Sequence, residues 1–245
     1  MIRLLAMREL RSLFSLPSTW FILALLQFVF AWFFLGRTET FLEIQPQLAQ
    51  LANPPGVTAT VAVPLFNTLA LLLMMLTPLF TMRLIAEERR NQTFALLLSA
   101  PISGVQIVLG KFFGLLIFLL LMMATVPIML WSLALGTHLD LGLILSNLLG
   151  LALLTSSYIA IGTYFSALTA QPIIAAIGAL VTLVGLWLAD MLASSATSPW
   201  HILSPLYHFQ NFNSGLLDSR DAAFFVLSSV ALLILTVRKV QQRAD

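Results

Sequence analysis

An all-α polytopic membrane protein is the fold class this sequence predicts, and three observations lead to it. Of 245 residues, 60% are apolar and the mean hydropathy is +0.98, more apolar surface than a single aqueous core can bury. Apolar runs of roughly 20 residues, the length that crosses ~30 Å of hydrocarbon, recur along the chain. Only 9% of residues are charged, and the densest group stands between two of those runs. Six crossings follow, within one membrane domain covering residues 1–245.

Residues 1–16, MIRLLAMRELRSLFSL, predict an N-terminal amphipathic helix. Ile2, Ala6, Met7, Leu10, Leu13 and Phe14 share one side, and Arg8, Glu9, Arg11 and Ser12 the other, with Arg3, Leu4 and Leu5 blurring the pattern. Such a helix suits the interface plane, apolar face down. A cleaved leader is not expected: the charged start is long, no small-x-small site follows closely, and the apolar run is too long.

Pro17-Ser18 opens the first span, about 19–35, whose exit Arg37, Glu39 and Glu43 mark. An external loop over 38–60 follows, with Asn53-Pro54-Pro55-Gly56 as its turn signal. The second span, about 61–82, carries Pro64 and Pro78, tolerated where neighbours or water take the freed backbone groups. The third, about 105–135, is interrupted by Pro127, and Gly136-Thr137-His138-Leu139-Asp140 turns the chain into the fourth, about 141–165. Gly150, Gly162 and several Ser/Thr in that span allow close helix packing. A polar turn over 166–172 leads to the fifth span, about 173–191, and the last is about 222–237. Residues 192–221 form a second external segment. Its aromatic-rich part, WHILSPLYHFQNFNSGLL, is too short and polar to span and suits an interfacial or partly re-entrant piece.

Between the second and third spans lies MRLIAEERRNQTFALLLSAPISGVQIVLGK, residues 82–111. Glu87, Glu88, Arg89 and Arg90 are consecutive, and a turn of four charges must stand in water, since each costs several kcal/mol in hydrocarbon. An apolar stretch follows, then Pro101, which disfavours helix at the residue before it. A short helix over about 84–99 is expected, polar in its first half and apolar in its second, suited to pressing on a soluble partner. The basic residues set the sidedness. Arg3, Arg8, Arg11, Arg83, Arg89, Arg90, Lys111, Arg238, Lys239 and Arg243 share one side, and only Arg37 and Arg220 take the other, ten of the twelve against two. Basic residues stay cytoplasmic, so both termini and the charged stretch are expected there.

No catalytic constellation is legible. Gly110-Lys111 lacks the upstream glycine and the Ser/Thr of a phosphate-binding loop. Glu87 and Glu88, adjacent on a helix, point about 100° apart and cannot converge on one substrate. With no cysteine, thiol metal sites and thiol catalysis are excluded. His138, His201 and His208 all fall outside the membrane without ligand spacing. Methionine pairs in spanning helices are ordinary packing, so neither a copper path nor any metal site is expected. Asp190 marks the water boundary of the fifth span in preference to an intramembrane acid. Any ATP-binding domain is expected on a separate chain, with no cofactor here, and no nucleic-acid partner is expected.

Three patches resemble the ABC-2-type permeases, the membrane subunits of ABC transporters. Glu87–Thr93 with Leu97-Leu98-Ser99-Ala100-Pro101-Ile102-Ser103 and Leu109-Gly110-Lys111 is similar to their first cytoplasmic loop. Ser166-Ala167-Leu168-Thr169-Ala170-Gln171 is similar to their Ser-x-Leu-Thr-x-x-Gln turn, with Ala170 replacing the usual acidic or polar residue. Leu203-Ser204-Pro205, His208-Phe209, Asn211-Phe212, Gly215-Leu216-Leu217-Asp218 and Arg220-Asp221 resemble the branch with gliding-motility permeases, a looser relative being the copper-processing permease of nitrous-oxide reductase maturation. The resemblance implies two permease chains, identical or paralogous, above two ATPase chains in a bacterial inner membrane, exporting a substrate. It implies a coupling helix seated in the ATPase, with Glu87, Glu88, Arg89 and Arg90 giving electrostatic fit, Phe94 or Leu97 the buried anchor, Thr93 a further coupling residue, and Gln171 a contact from the second loop. The external residues His201, His208, Asp218 and Arg220 then belong to the outer working surface. An alternative keeps the ATPase but moves no solute: the chain transmits force to external accessory proteins.

Overall fold

Long helices succeed one another with short turns between, in the order the apolar runs set. The computed structural model describes residues 1–48, 50, 55–92, 103–135, 137–192 and 199–242. Six of its helices are long and apolar enough to cross a membrane.

Helix α1 (Ile2–Ser15) precedes α2 (Pro17–Leu48). The first crossing continues past its expected exit: α2 is 32 residues long, about 48 Å at 1.5 Å per residue. Its last turns, carrying Arg37, Glu39 and Glu43, extend beyond a 30 Å hydrocarbon layer, so helix takes up much of the segment expected as loop. The second crossing, α3, opens with a π-helical turn over Thr58–Ala62 and continues as Val63–Leu84. Pro64 stands where the π-helical turn passes into the α-helix, at the first positions of the latter. Around Pro78 the hydroxyls of Thr77 and Thr81 donate to the carbonyls of Leu73 (2.6 Å) and Thr77 (3.0 Å).

The third crossing is α5 (Gly104–Met123) followed by α6 (Thr125–Trp131) and a 3-10 turn over Ser132–Leu135. The break falls at Ala124, because the Pro127 ring would meet the carbonyl of Met123, four residues back. Ser103 caps α5 in a full capping box with Gln106. Helix α7 (Leu141–Leu168), capped by Asp140, runs three residues further than expected, so the polar turn shortens to 169–171 before α8 (Pro172–Met191). The external segment folds as α9 (Pro199–Leu203) and α10 (Pro205–Asn213), and α11 (Ser219–Gln241) closes the bundle.

Helix α7 is the axis, with 67% of its most apolar window buried against 17% for α8 and 22% for α2. Glycines admit its neighbours. A Cβ on Gly162 would lie 2.6 Å from the Thr81 Cβ on α3, and one on Gly150 would lie 2.5 Å from the Phe212 Cβ on α10. Gly150 is about 14 Å along α7 from Leu141, so α10 packs that far along the helix. Phe209 and Phe212 are buried there, and the Ser146 hydroxyl donates to the Phe212 carbonyl at 2.9 Å. Two apolar cores stack along the axis. One gathers Phe30, Phe66, Leu151 and Phe209, and the other Leu84, Phe112, Phe118 and Ala160. The outward faces of α2, α8 and α11 carry exposed Trp32, Ile177 and Leu227, the lipid-facing complement of those cores.

The chain therefore has two polar ends. At one lie α1, the end of α3, the start of α5, the turn after α7 and the end of α11, where Val240 and Gln241 flank Gly104. At the other, the Asp140 N–H donates to the Thr58 hydroxyl at 2.9 Å, beside α9 and α10.

Candidate functional site

The charged stretch begins where α3 ends. Ile85 breaks the helix with φ −122° and ψ −41°, and the five-residue helix α4, Ala86–Arg90, follows. It ends sooner than expected. Gln92 adopts φ +56°, a left-handed conformation that cannot continue a right-handed helix, so no unbroken helix runs over 84–99. Thr93, Phe94 and Leu97 lie outside the described residues, so the apolar second half and its anchor have no description here. Glu87, Glu88 and Arg89 are half-buried and Arg90 is exposed.

The second loop holds the bend in place. Ser166, one turn from the end of α7 and fully buried, accepts from the N–H groups of Ile85 (3.1 Å) and Ala86 (3.0 Å) and donates to the Met82 carbonyl (3.2 Å). One hydroxyl thus satisfies backbone groups on both sides of the break, groups an interrupted helix leaves unpaired. Beside it Arg89 donates from Nη1 to the Ala167 carbonyl at 2.5 Å. The two loops, 80 residues apart in sequence, are one structural unit. Gln171 is exposed at the N-cap of α8, its backbone N–H donating to the Thr169 hydroxyl at 3.1 Å. Sequence reasoning named Ser166 and Lys111 only as parts of motifs. Their signal was a buried-sized polar residue within the last turn of a span, and a lysine seven residues into an apolar helix.

Lys111 is 6% exposed and joins three elements. Its ammonium lies 2.7 Å from Glu88 of α4 and 3.3 Å from Glu9 of α1. Helix α1 reaches it because α5 is notched: a Cβ on Gly110 would be 2.5 Å from the Leu5 Cβ, and one on Gly114 would be 2.7 Å from the Glu9 Cβ. The face of α1 turned to the rest of the protein is accordingly Ile2, Leu5, Ala6, Glu9, Leu10, Leu13 and Phe14, while Met7 is exposed. Between α1, α3, α4 and α5 a groove of about 360 Å³ is lined by Arg8, Arg83, Glu87 and Asn91 with an apolar wall that includes Leu13 and Phe80.

At the opposite end each of two histidines faces a carboxylate. His201 Nδ1 lies 2.5 Å from Asp190 Oδ1, and His208 Nδ1 lies 2.6 Å from Asp221 Oδ1. Asp190 thus closes α8 onto α9. The His208 ring also lies 3.0 Å from the Ile202 carbonyl through Nε2 and stacks on Phe224, while Asn211 donates to the second Asp221 oxygen at 2.7 Å. Asp218 caps α11, accepting from the Arg220 N–H at 2.9 Å, and the Arg220 side chain is exposed.

A multi-pass helical membrane protein with a short polar helix braced by two loops at one end is the class these features define. Residues 35–237 match the family model described as ABC-2 family transporter protein. The chain belongs to that family, as the membrane-embedded permease subunit of an ABC transporter, and membership implies an ABC ATPase as partner. No curated protein matches the chain.

Proposed function

We propose that this chain couples ATP hydrolysis on a separate ATPase to export across a bacterial inner membrane, and that α4 with the turn after α7 is the coupling surface. The brace that Ser166 builds across the α3–α4 break carries this reading, because it makes the two loops move as one body. Both termini and α4 then face the cytoplasm, in line with ten basic residues on that side. Glu87, Glu88, Arg89 and Arg90 contribute electrostatic fit to the ATPase, Phe94 or Leu97 the buried anchor, and Thr93 and Gln171 further contacts, the latter from the second loop. Two copies of the ATPase serve two permease chains, identical or paralogous, and ATP is bound by the ATPase alone. His201, His208, Asp218 and Arg220 order the outer segment, and their pattern supports placement in the gliding-motility branch. Closure of the ATPase pair pulls α4, a rigid-body switch passed to α3 and α7.

Reversing charge at Glu87 and Arg90 together (Glu87→Lys with Arg90→Glu) tests this. The complex is expected to assemble in the membrane at normal level while ATP turnover loses its dependence on the permease. Wild-type coupling in reconstituted liposomes would remove α4 from the mechanism.

A further inference from the structure

We propose that Lys111 is a hand-over point for the moving helix, with Glu9 as the reserve counter-ion that lets α4 leave. This rests on the reading of α4 as the coupling helix. One buried ammonium, its side chain 8% exposed, faces two carboxylates, each 21% exposed, carried by different elements. Glu88 at 2.7 Å holds it more closely than Glu9 at 3.3 Å. A buried cation whose sole partner departs keeps its full desolvation penalty, which makes such a departure costly. A second carboxylate that stays behind removes most of that cost.

Glu9 is placed to stay. It rides on α1, and the Gly110 and Gly114 notches seat α1 on α5, the helix that carries Lys111. Helix α4, by contrast, is a five-residue helix braced to α3 and α7 by Ser166 and Arg89, so it moves with them and not with α5. The remaining charged groups lining this groove are Arg8 on α1, Arg83 on α3 and Glu87 on α4, and both arginines are exposed to water. The groove, about 360 Å³, gives Glu88 room to withdraw and water room to follow. Lys111 and Glu9 are positioning residues: they act on the resting place of α4 and touch no substrate.

Glu9→Gln and Glu88→Gln then act in opposite directions, where a merely structural cluster would respond alike to both. The chain has no cysteine, so Met7→Cys and Asn91→Cys place spin labels on α1 and beside α4 without background. Distances are read by pulsed EPR on the full chain assembled with its ATPase in nanodiscs, with and without a non-hydrolysable ATP analogue. E9Q is expected to hold α4 in the short-distance population under both conditions and to lower ATP turnover several-fold. E88Q is expected to populate the long distance before nucleotide is added. Lys111→Arg should keep the wild-type distances and so reports folding, and in a Lys111→Met background E9Q should have no further effect. Parallel shifts from E9Q and E88Q, no shift from either, or an E9Q effect that persists without Lys111 would overturn the proposal. Opposite shifts that persist while the Glu87/Arg90 reversal leaves coupling intact would support the hand-over and remove the ATPase reading alone.

Discussion

Ser166 concentrates more structure in one hydroxyl than any charged residue of the site. Its oxygen accepts from two N–H groups and its hydrogen serves a carbonyl, all across the Ile85 bend. Removing the hydroxyl strands two buried donors, and a stranded buried donor costs about 1–3 kcal/mol. Ser166→Ala is therefore expected to lower the thermal midpoint in detergent and weaken permease-dependent ATP turnover. An unchanged melting curve would mean the bend is held by other contacts. The sequence placed Ser166 within a recognisable turn. What it could not show was that the side chain points back at residues 82–86, since that depends on how α7 and α3 lie together. His208 is a parallel case: its pairing with Asp221 spans 13 residues and no ligand-like spacing signals it.

At the scale of elements, glycines set how close helices come. Gly162 lets α7 touch α3 at Thr81, directly beside the hydroxyl ladder around Pro78. Gly162→Ala puts a methyl into the Thr81 side chain, whose hydroxyl would have to give up or bend its bond to the Thr77 carbonyl at 3.0 Å. Overpacking of this kind costs about 1–3 kcal/mol. Thermal unfolding in detergent should show the loss, and at Gly185, where a Cβ meets nothing within 4 Å, the same change should be nearly silent. The small residues of α7 announced close packing, whereas the notch that Gly110 and Gly114 cut for α1 passed unread. Helix propensity and wheel patterns describe one helix at a time, and the seating of α1 on α5 at Gly110 and Gly114 shows the limit of that view.

Across the whole molecule, the folded topology brings α1, α4, the turn after α7 and the end of α11 together at one end of the bundle. On the proposed reading that end faces the cytoplasm. Single cysteines at Asn91 and Gln171 should resist membrane-impermeant maleimide in intact cells and react once the membrane is opened. A cysteine at Ser214 should react in both conditions. Labelling of Asn91 from outside would invert the topology and with it the proposed coupling surface. The exposed apolar faces of α2, α8 and α11 are consistent only with a lipid or protein surround.

Composition alone determined the solvent of this protein, because ~20-residue apolar runs have a single low-energy environment, and the scarcity of charge made each charged residue a topological marker. The span order and the place of the charged helix followed from that. Tertiary structure decided what those charges do. Whether Lys111 faces water or two carboxylates, and whether Ser166 caps a neighbour's broken helix, depends on contacts between residues that range from 23 (111 − 88) to 102 positions apart. Local periodicity carries no information over such separations; only the packing of α1 on α5 and of α3 on α7 supplies it.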